Sequence, residues 1–320
     1  MKDLVTIESA AVDTQNGLLD SAIIESWLKF VRKSASTIVT YKKCLKQLAK
    51  YFADNNIAVP ARADLENWED SLIDSGKSPS TIQLYLSAAK LFFRWLAQEG
   101  IFPNIADHLQ SRVKVNHDMH KKSALTAKQA AELLKAVKGK DLKALRDRAI
   151  ISLMVTTGIR SISVVRANIC DIRQEQGGIF LYFQSKGKND KRDCVQIRSE
   201  VYKLINQYLK ARKEKNSAAP LFVSTSRRNN NQRLETQTIS RMVKGYLRES
   251  VGDFSTLTCH SLRHTAITLA LKGGASMEEA KVFAAHRNIQ TTFIYNHAIN
   301  VFHNKCSTIV TNSIFKFFKC

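Results

Sequence analysis

The stretch TLTCHSLRHTAITLALKGGASMEEAKVFAAHRNIQTTFIYNH, Thr256 to His297, decides how the rest of the chain is read. A helix capped near Thr258 places His260 and Arg263 three residues apart and so on one face. Leu262, Ala266, Leu269, Ala270 and Leu271 recur at roughly helical spacing and predict that the opposite face is buried. Gly273 and Gly274 end that helix. Ser276, with Glu278 and Glu279 in the first turn, starts a second helix through Val282, Phe283 and Ala284, which His286 closes. A Thr pair then starts a further turn ahead of Tyr295. Taken singly, each feature has an ordinary explanation: H-x-x-R occurs by chance, His286 can simply cap its helix, and a Tyr beside Phe293 and Ile294 can be a core residue. Taken together, two His, an Arg and a Tyr in this order supply a nucleophile and the cations that a phosphodiester reaction demands.

The segments TCHSLRH and AAHRNIQTTFIYNH resemble the H-x-L-R-H and L-G-H-x-x-x-x-T-T-x-x-Y-x-H signatures of the tyrosine recombinases, the integrase and Xer family. MVTTGIRSISVVRANICDI is similar to the family's T-G-x-R stretch, and YFQSKGKNDKRDCVQI to its G-K-G β-hairpin. The resemblance runs from about Ala22 to His297 and implies a catalytic set of Arg160, Lys186, His260, Arg263, His286 and Tyr295. Lys186 is singled out by its place before Gly187, with Lys188 a competitor. The implied fold is mainly α: a helical SAM-like core-binding domain, then an α+β catalytic domain with a small antiparallel sheet. Three departures stand out. Ser163 occupies the position where the family carries Glu or Asp three residues after its first Arg, Ala285 replaces the Gly before the second His, and the hairpin is one residue longer.

The chain of 320 residues, 44% hydrophobic and 24% charged, is long enough for two domains. No signal peptide or apolar run of bilayer length is apparent, so no membrane role is expected and the location is read as cytoplasmic. Six Cys without a C-x-x-C pair argue against a zinc knuckle and a disulfide framework. The net charge of +21 points to a polyanionic partner. Residues 1–105 hold 12 Lys and Arg against 12 Asp and Glu, so the remaining 37 basic and 16 acidic residues place the whole excess on 106–320.

Residues 1–21 lack periodicity and read as a flexible lead. In 22–105, Ile23, Ile24, Trp27, Leu28 and Val31 mark a first helix. Ser36 or Thr37 caps a second, with Tyr41, Leu45, Leu48 and Phe52 inward. Its other face carries Lys42, Lys43, Lys46 and Lys50, either a solvated lysine face or a phosphate-contact surface. An acidic helix, Asp64 to Asp74, and a fourth from Pro79 complete the group. The resemblance lays Lys42, Lys43, Lys46, Lys90 and Arg94 along DNA. Residues 106–123 read as an inter-domain linker, whose His117 and His120 lack the acids or Cys of a metal site.

In 124–297, Thr126 caps a helix, RDRAIISLMVTTG forms another, and Arg160 opens the next. IFLYF and DCVQI are strands flanking the basic turn SKGKNDKR. Val201 to Lys213 and Thr238 to Glu249 are amphipathic helices, the second offering Arg241, Lys244 and Arg248 to a groove. No phosphate-binding G-x-x-x-x-G-K-S/T loop occurs, and neither metal nor nucleotide cofactor is expected. The apolar, acid-free tail 298–320 is read as an inter-subunit exchange segment.

The resemblance implies a site-specific recombinase acting on double-stranded DNA as a homotetramer on two duplexes, without metal, with accessory DNA-bending or directionality proteins as further partners. With only a short lead before Ala22, it implies a compact Xer-like or transposon-type enzyme lacking an arm-site domain. A type IB topoisomerase-like enzyme and a catalytically decayed DNA-binding regulator are the alternatives.

Overall fold

A computed structural model describes residues 19–114, 124–175, 177–185, 187–252, 255–286 and 288–293. The chain divides into two compact units, Met1–Asn116 and His117–Cys320.

The first unit holds four helices: α1 (Ser21–Phe30), α2 (Ala35–Asp54), α3 (Arg62–Asp74) and α4 (Pro79–Gln98). Trp27, Leu45, Leu48, Leu65, Trp68, Phe92, Phe93 and Leu96, each at most 1% exposed, form its core. The apolar periodicity located these helices, but two starts differ from expectation. Ser34, not Ser36 or Thr37, caps α2 by accepting from Thr37 N at 3.3 Å. α3 begins at Arg62 because the Asp64 carboxylate reaches back to Ala61 N at 2.7 Å.

The acidic helix α3 organises the segment that follows α4. Ala106 and Leu109 are buried in this unit's core, with Val113 packed at its edge. Glu69, 1% exposed, accepts from Ser111 Oγ at 2.6 Å and from Arg112 N at 2.8 Å. Arg112 Nη1 also donates to Asp70 Oδ1 at 2.6 Å. The reading of 106–123 as a linker is therefore corrected over its first part: 106–113 pack onto the first unit. Two buried apolar residues make no period, and the acids holding the segment lie about forty residues upstream. Residues 115–123, including His117 and His120, lie outside the described residues.

The second unit contains α5 (Ala127–Ala136), α6 (Leu142–Thr157), α7 (Ser161–Arg166), β1 (Ile172–Glu175), β2 (Gly178–Phe183), β3 (Asp193–Ile197), α8 (Ser199–Arg212), α9 (Thr236–Ser250), α10 (Cys259–Lys272), α11 (Met277–Phe283) and α12 (Gln290–Phe293). The fold is mainly α with a small antiparallel sheet. The strands lie in the order β1-β2-β3, with Leu181 opposite both Ile172 and Val195. Strand β1 was not foreseen: IRQE is polar, three of its four residues are exposed, and only pairing with β2 makes it a strand.

α6 is buried on nearly every side, from Ala149 through Val155, and packs against α8 and α10. It is the central post of this unit. α10 is also buried all round from Ser261 to Thr268, so the expected division into one polar and one apolar face does not hold. Among the described residues no helix is long and apolar enough to cross a membrane.

Replacing Glu69 by Ala is expected to remove the acceptor for two hydrogen bonds and destabilise the first unit by about 2–3 kcal/mol. Trypsin should then cut at Arg112 far faster than in the parent chain. An unchanged digestion pattern would show that Glu69 does not hold the segment.

Candidate active site

The site is built on the ends of helices. α6 stops at Gly158, whose φ of +64° suits glycine, and Arg160 follows as the N-cap residue of α7. A Cβ on Gly158 would lie 3.4 Å from Ala266 Cβ and 3.5 Å from Phe283 Cε1, so α10 and α11 both close on this turn. α11 ends at Ala284, the chain turns through Ala285 at φ +47°, and His286 N donates back to Lys281 O at 3.0 Å. That left-handed residue is the ordinary helix C-terminal device and the place where glycine fits without strain. The replacement of the family's Gly by Ala285 therefore falls on a position whose backbone favours glycine.

Arg263 joins these two ends. It is 3% exposed, and its Nη1 donates to Gly158 O while Nη2 donates to Ala284 O, both at 2.6 Å. Both carbonyls belong to helix C-termini, which lack partners within their own helices and carry partial negative charge. One guanidinium fork thus satisfies two helix ends and fixes the turns leading to Arg160 and His286. His260 is exposed on the first turn of the same helix, and His286 is 7% exposed with Nδ1 at 2.9 Å from Thr292 Oγ1.

The hairpin is tied to this region by a hydroxyl. Ser163, 1% exposed, donates to Gln184 O at 2.8 Å, just past the end of β2. Gln184 Nε2 donates to Lys188 O at 2.6 Å, and Lys188 Nζ lies 2.6 Å from Asp193 Oδ1. Lys188 thus has a carboxylate partner. Asp171 accepts from Asn168 N at 2.7 Å and pairs with Lys191, which places it in the hairpin's support. Lys186 and Tyr295 lie outside the described residues. The structure therefore brings Arg160, Arg263 and His286 onto adjoining turns, with His260 on the helix that links them.

Sequence reasoning did not find the roles of Thr292 and Gln184, and it treated Ser163 only as a missing acid. The T-T pair before Tyr295 was the available signal for Thr292; for Gln184 there was none. Of the residues expected to meet DNA, Lys43, Lys46, Arg94, Arg241 and Lys244 are exposed, while Lys90 is half-buried. Lys42 is paired with Glu25 and Lys50 with Asp54, so part of the α2 lysine face is compensated within its own unit. Arg241 borders a groove lined also by Lys143, Met242 and Tyr246, above the buried Arg146–Asp147 pair. Burial, then the charge of Asp147, pushes the Tyr246 phenol up to about 12. Among the described residues no group of three or more His, Cys, Asp or Glu is placed to hold a metal ion.

The fold so described is that of the tyrosine recombinases. It matches the XerH site-specific recombinase bound to a palindromic difH substrate with a TM-score of 0.71 and 20% identity, covering 90% of this chain and 83% of that one. The Tn1549 transposon integrase in complex with transposon right end DNA matches with a TM-score of 0.66 and 18% identity, over 85% and 93%. In sequence, tyrosine recombinase XerC of Corynebacterium glutamicum is 29% identical over 275 residues, 84% of each chain. Tyrosine recombinase XerD of Neisseria meningitidis serogroup B is 28% identical over 293 residues, 90% of this chain and 95% of the relative. Residues 123–300 match the Phage integrase family and residues 24–100 its N-terminal SAM-like domain. The chain belongs to the phage integrase family and is a site-specific tyrosine recombinase.

Three substitutions probe the joined helix ends and the hairpin support. Arg263→Lys keeps the charge but cannot span both carbonyls as a fork, and should cost the second unit about 3 kcal/mol in urea unfolding. Retention of full stability would mean that the fork does not join α6 to α11. Ser163→Ala should cost about 1–2 kcal/mol by leaving Gln184 O without its donor. Ser163→Asp, although it restores the family's usual acid, should lower the melting temperature further, because a carboxylate then faces a carbonyl. A rise in melting temperature on Ser163→Asp would contradict this account of the hairpin support.

Proposed function

We propose that Tyr295 attacks a DNA phosphodiester to form a 3′-phosphotyrosyl bond, releasing a 5′ hydroxyl that is later replaced by one from a second duplex. The observation that carries this reading is the Arg263 fork, which joins the turn before Arg160 to the turn before His286. A phosphoryl group under attack gains negative charge on its equatorial oxygens. Arg160 and Arg263 supply planar donors for those oxygens, and His286 a third hydrogen bond.

Tyr295 Oη loses its proton as its bond to phosphorus forms, and His260 accepts that proton. The O5′–phosphorus bond breaks, and Lys186 protonates the departing oxygen. Lys186 is preferred to Lys188 for this step because Lys188 already pairs with Asp193. The phosphotyrosyl bond replaces one phosphodiester with another, so rejoining by a new 5′ hydroxyl runs the same steps backwards and consumes no nucleotide. Ser163 holds the hairpin stem in place of the family's acid, so its presence does not by itself mark a decayed site.

The domain assignment proposed is a core-binding domain over 22–105, extended by the packing of 106–113, and a catalytic domain over 124–297. Lys43, Lys46, Arg94, Arg241 and Lys244 are proposed to meet backbone phosphates, with Lys42 and Lys90 at the edge of that surface. The solved XerH and Tn1549 relatives, in complex with DNA, support double-stranded DNA as the substrate. A homotetramer on two duplexes, with tail 298–320 exchanged between subunits, would supply four sites, and a lambda integrase tetramer bound to a Holliday junction supports it. The proposed setting is a cytoplasmic Xer-like or mobile-element recombination, with integration, excision, transposition and dimer resolution as its possible outcomes and accessory proteins directing between them.

The test is a covalent trap: protein and Tyr295→Phe on nicked suicide duplexes carrying a candidate site, without metal or ATP, followed by denaturing electrophoresis. The parent protein should give an adduct that the Phe variant abolishes. Specific binding of the site with no adduct from the parent would favour a DNA-binding regulator instead.

A further inference from the structure

We infer that Thr292 is a positioning residue that holds the His286 ring in the tautomer with its proton on Nε2, the form able to donate to a phosphate oxygen. This deepens the assignment of His286 proposed above and rests on it. The argument starts from a buried hydroxyl. Thr292 is 0% exposed, and its single hydroxyl hydrogen has to find an acceptor inside the protein. Elsewhere in this chain, helical threonines solve that problem with their own helix. Thr156 donates to Ser152 O at 2.7 Å, Thr265 to Ser261 O at 2.8 Å and Thr40 to Ser36 O at 2.8 Å, each four residues back.

Thr292 sits in the four-residue helix α12 and makes a different contact. Its Oγ1 lies 2.9 Å from His286 Nδ1, six residues back and in the preceding turn. Among the described residues that ring nitrogen is the acceptor the structure gives to the hydroxyl. A neutral imidazole has one protonated and one bare nitrogen, so a donating Thr292 makes Nδ1 the bare one and puts the hydrogen on Nε2.

The backbone that carries the ring is fixed as well. His286 N is bonded to Lys281 O at 3.0 Å, and the left-handed Ala285 sets the direction in which the side chain leaves the backbone. Thr292 N donates to Ile289 O at 2.7 Å, which fixes the hydroxyl's own backbone. Because Thr292 precedes Tyr295 by three residues, the same hydrogen bond ties the chain approaching the nucleophile to the histidine. His264 makes a similar contact with Thr268 Oγ1, 3.1 Å, but between two residues of one buried helix.

Three proteins test the proposal: the full-length parent, Thr292→Val, which keeps the shape and removes the hydroxyl, and Thr292→Ser, which keeps the hydroxyl. The first readout is the pair of ring ¹⁵N shifts of His286 in DNA-free protein near pH 8, assigned by their loss in His286→Gln. The parent and Thr292→Ser should show Nδ1 unprotonated, and Thr292→Val should gain the Nδ1–H form. The second readout is the rate of covalent adduct formation on a nicked suicide duplex. It should fall about tenfold to a hundredfold in Thr292→Val, at unchanged DNA affinity, and recover in Thr292→Ser. A parent spectrum with Nδ1 protonated, or a Val variant with the parent's tautomer, overturns the proposal even if Thr292→Val folds poorly, because the parent spectrum alone can exclude it. Absence of adduct from all three proteins, with the predicted tautomers present, would instead sink the cleavage chemistry while leaving Thr292 as the residue that sets the ring.

Discussion

The guanidinium of Arg263 between two carbonyls is the constraint on which the catalytic unit depends. Taking a cation from water into a position 3% exposed costs several kcal/mol, and only strong, well-directed acceptors offset that. The acceptors here are the last carbonyls of α6 and α11, which need donors of their own. Two deficits cancel each other. The geometry follows from that exchange, because α6, α10 and α11 must approach until one planar group reaches both helix ends. Gly158 serves the approach through its backbone: its left-handed φ of +64° ends α6 at the point where Ala266 and Phe283 pack against the turn.

Hydroxyl groups join the remaining seams. Thr265 Oγ1 accepts from Leu125 N at 2.8 Å and donates to Ser261 O, binding the residue before the α5 cap to α10. Ser163 attaches α7 to the hairpin stem, and Thr292 attaches α12 to His286. A hydroxyl can donate and accept at once and is cheap to bury when both needs are met. A carboxylate at position 163 would offer acceptors only, and Gln184 O requires a donor. Ser163 therefore keeps the hairpin attached by a hydroxyl donation that a carboxylate could not make.

What the sequence revealed was what repeats or punctuates. The stripe Ile82, Leu86, Phe92, Phe93 and Leu96 located α4, Thr126 and Ser276 marked helix starts, and the paired strands around SKGKNDKR located the hairpin. The chemistry-bearing residue types could be put forward as a set from their order alone. Contacts made by backbone atoms were not. No side-chain pattern announces that Arg263 will seek Gly158 O, 105 residues away, or that Glu69 will hold Arg112 N. Nor could periodicity find β1, whose polar residues become a strand only because β2 lies beside them. α10 misled for the opposite reason, since a helix buried on all sides carries its Arg, His and Thr inward along with its leucines.

The manner in which Arg263 is held also bears on the use of charge. The chain's +21 is not uniformly at the disposal of a polyanion. Lys188 is met by Asp193, Lys191 by Asp171 and Arg192 by Asp190, so much of the positive charge around the hairpin is balanced where it stands, as Arg146 is by Asp147 beneath the α9 groove. The acceptors described for Arg263 are neutral carbonyls at the negative ends of helices. They orient the guanidinium and ease its burial without cancelling its charge, as a carboxylate would. A cation fixed by dipoles keeps its full attraction for an incoming phosphate and needs little reorganisation when negative charge develops there. The two carbonyls thus let Arg263 brace the fold without themselves neutralising it, which agrees with the role proposed for it at the phosphate.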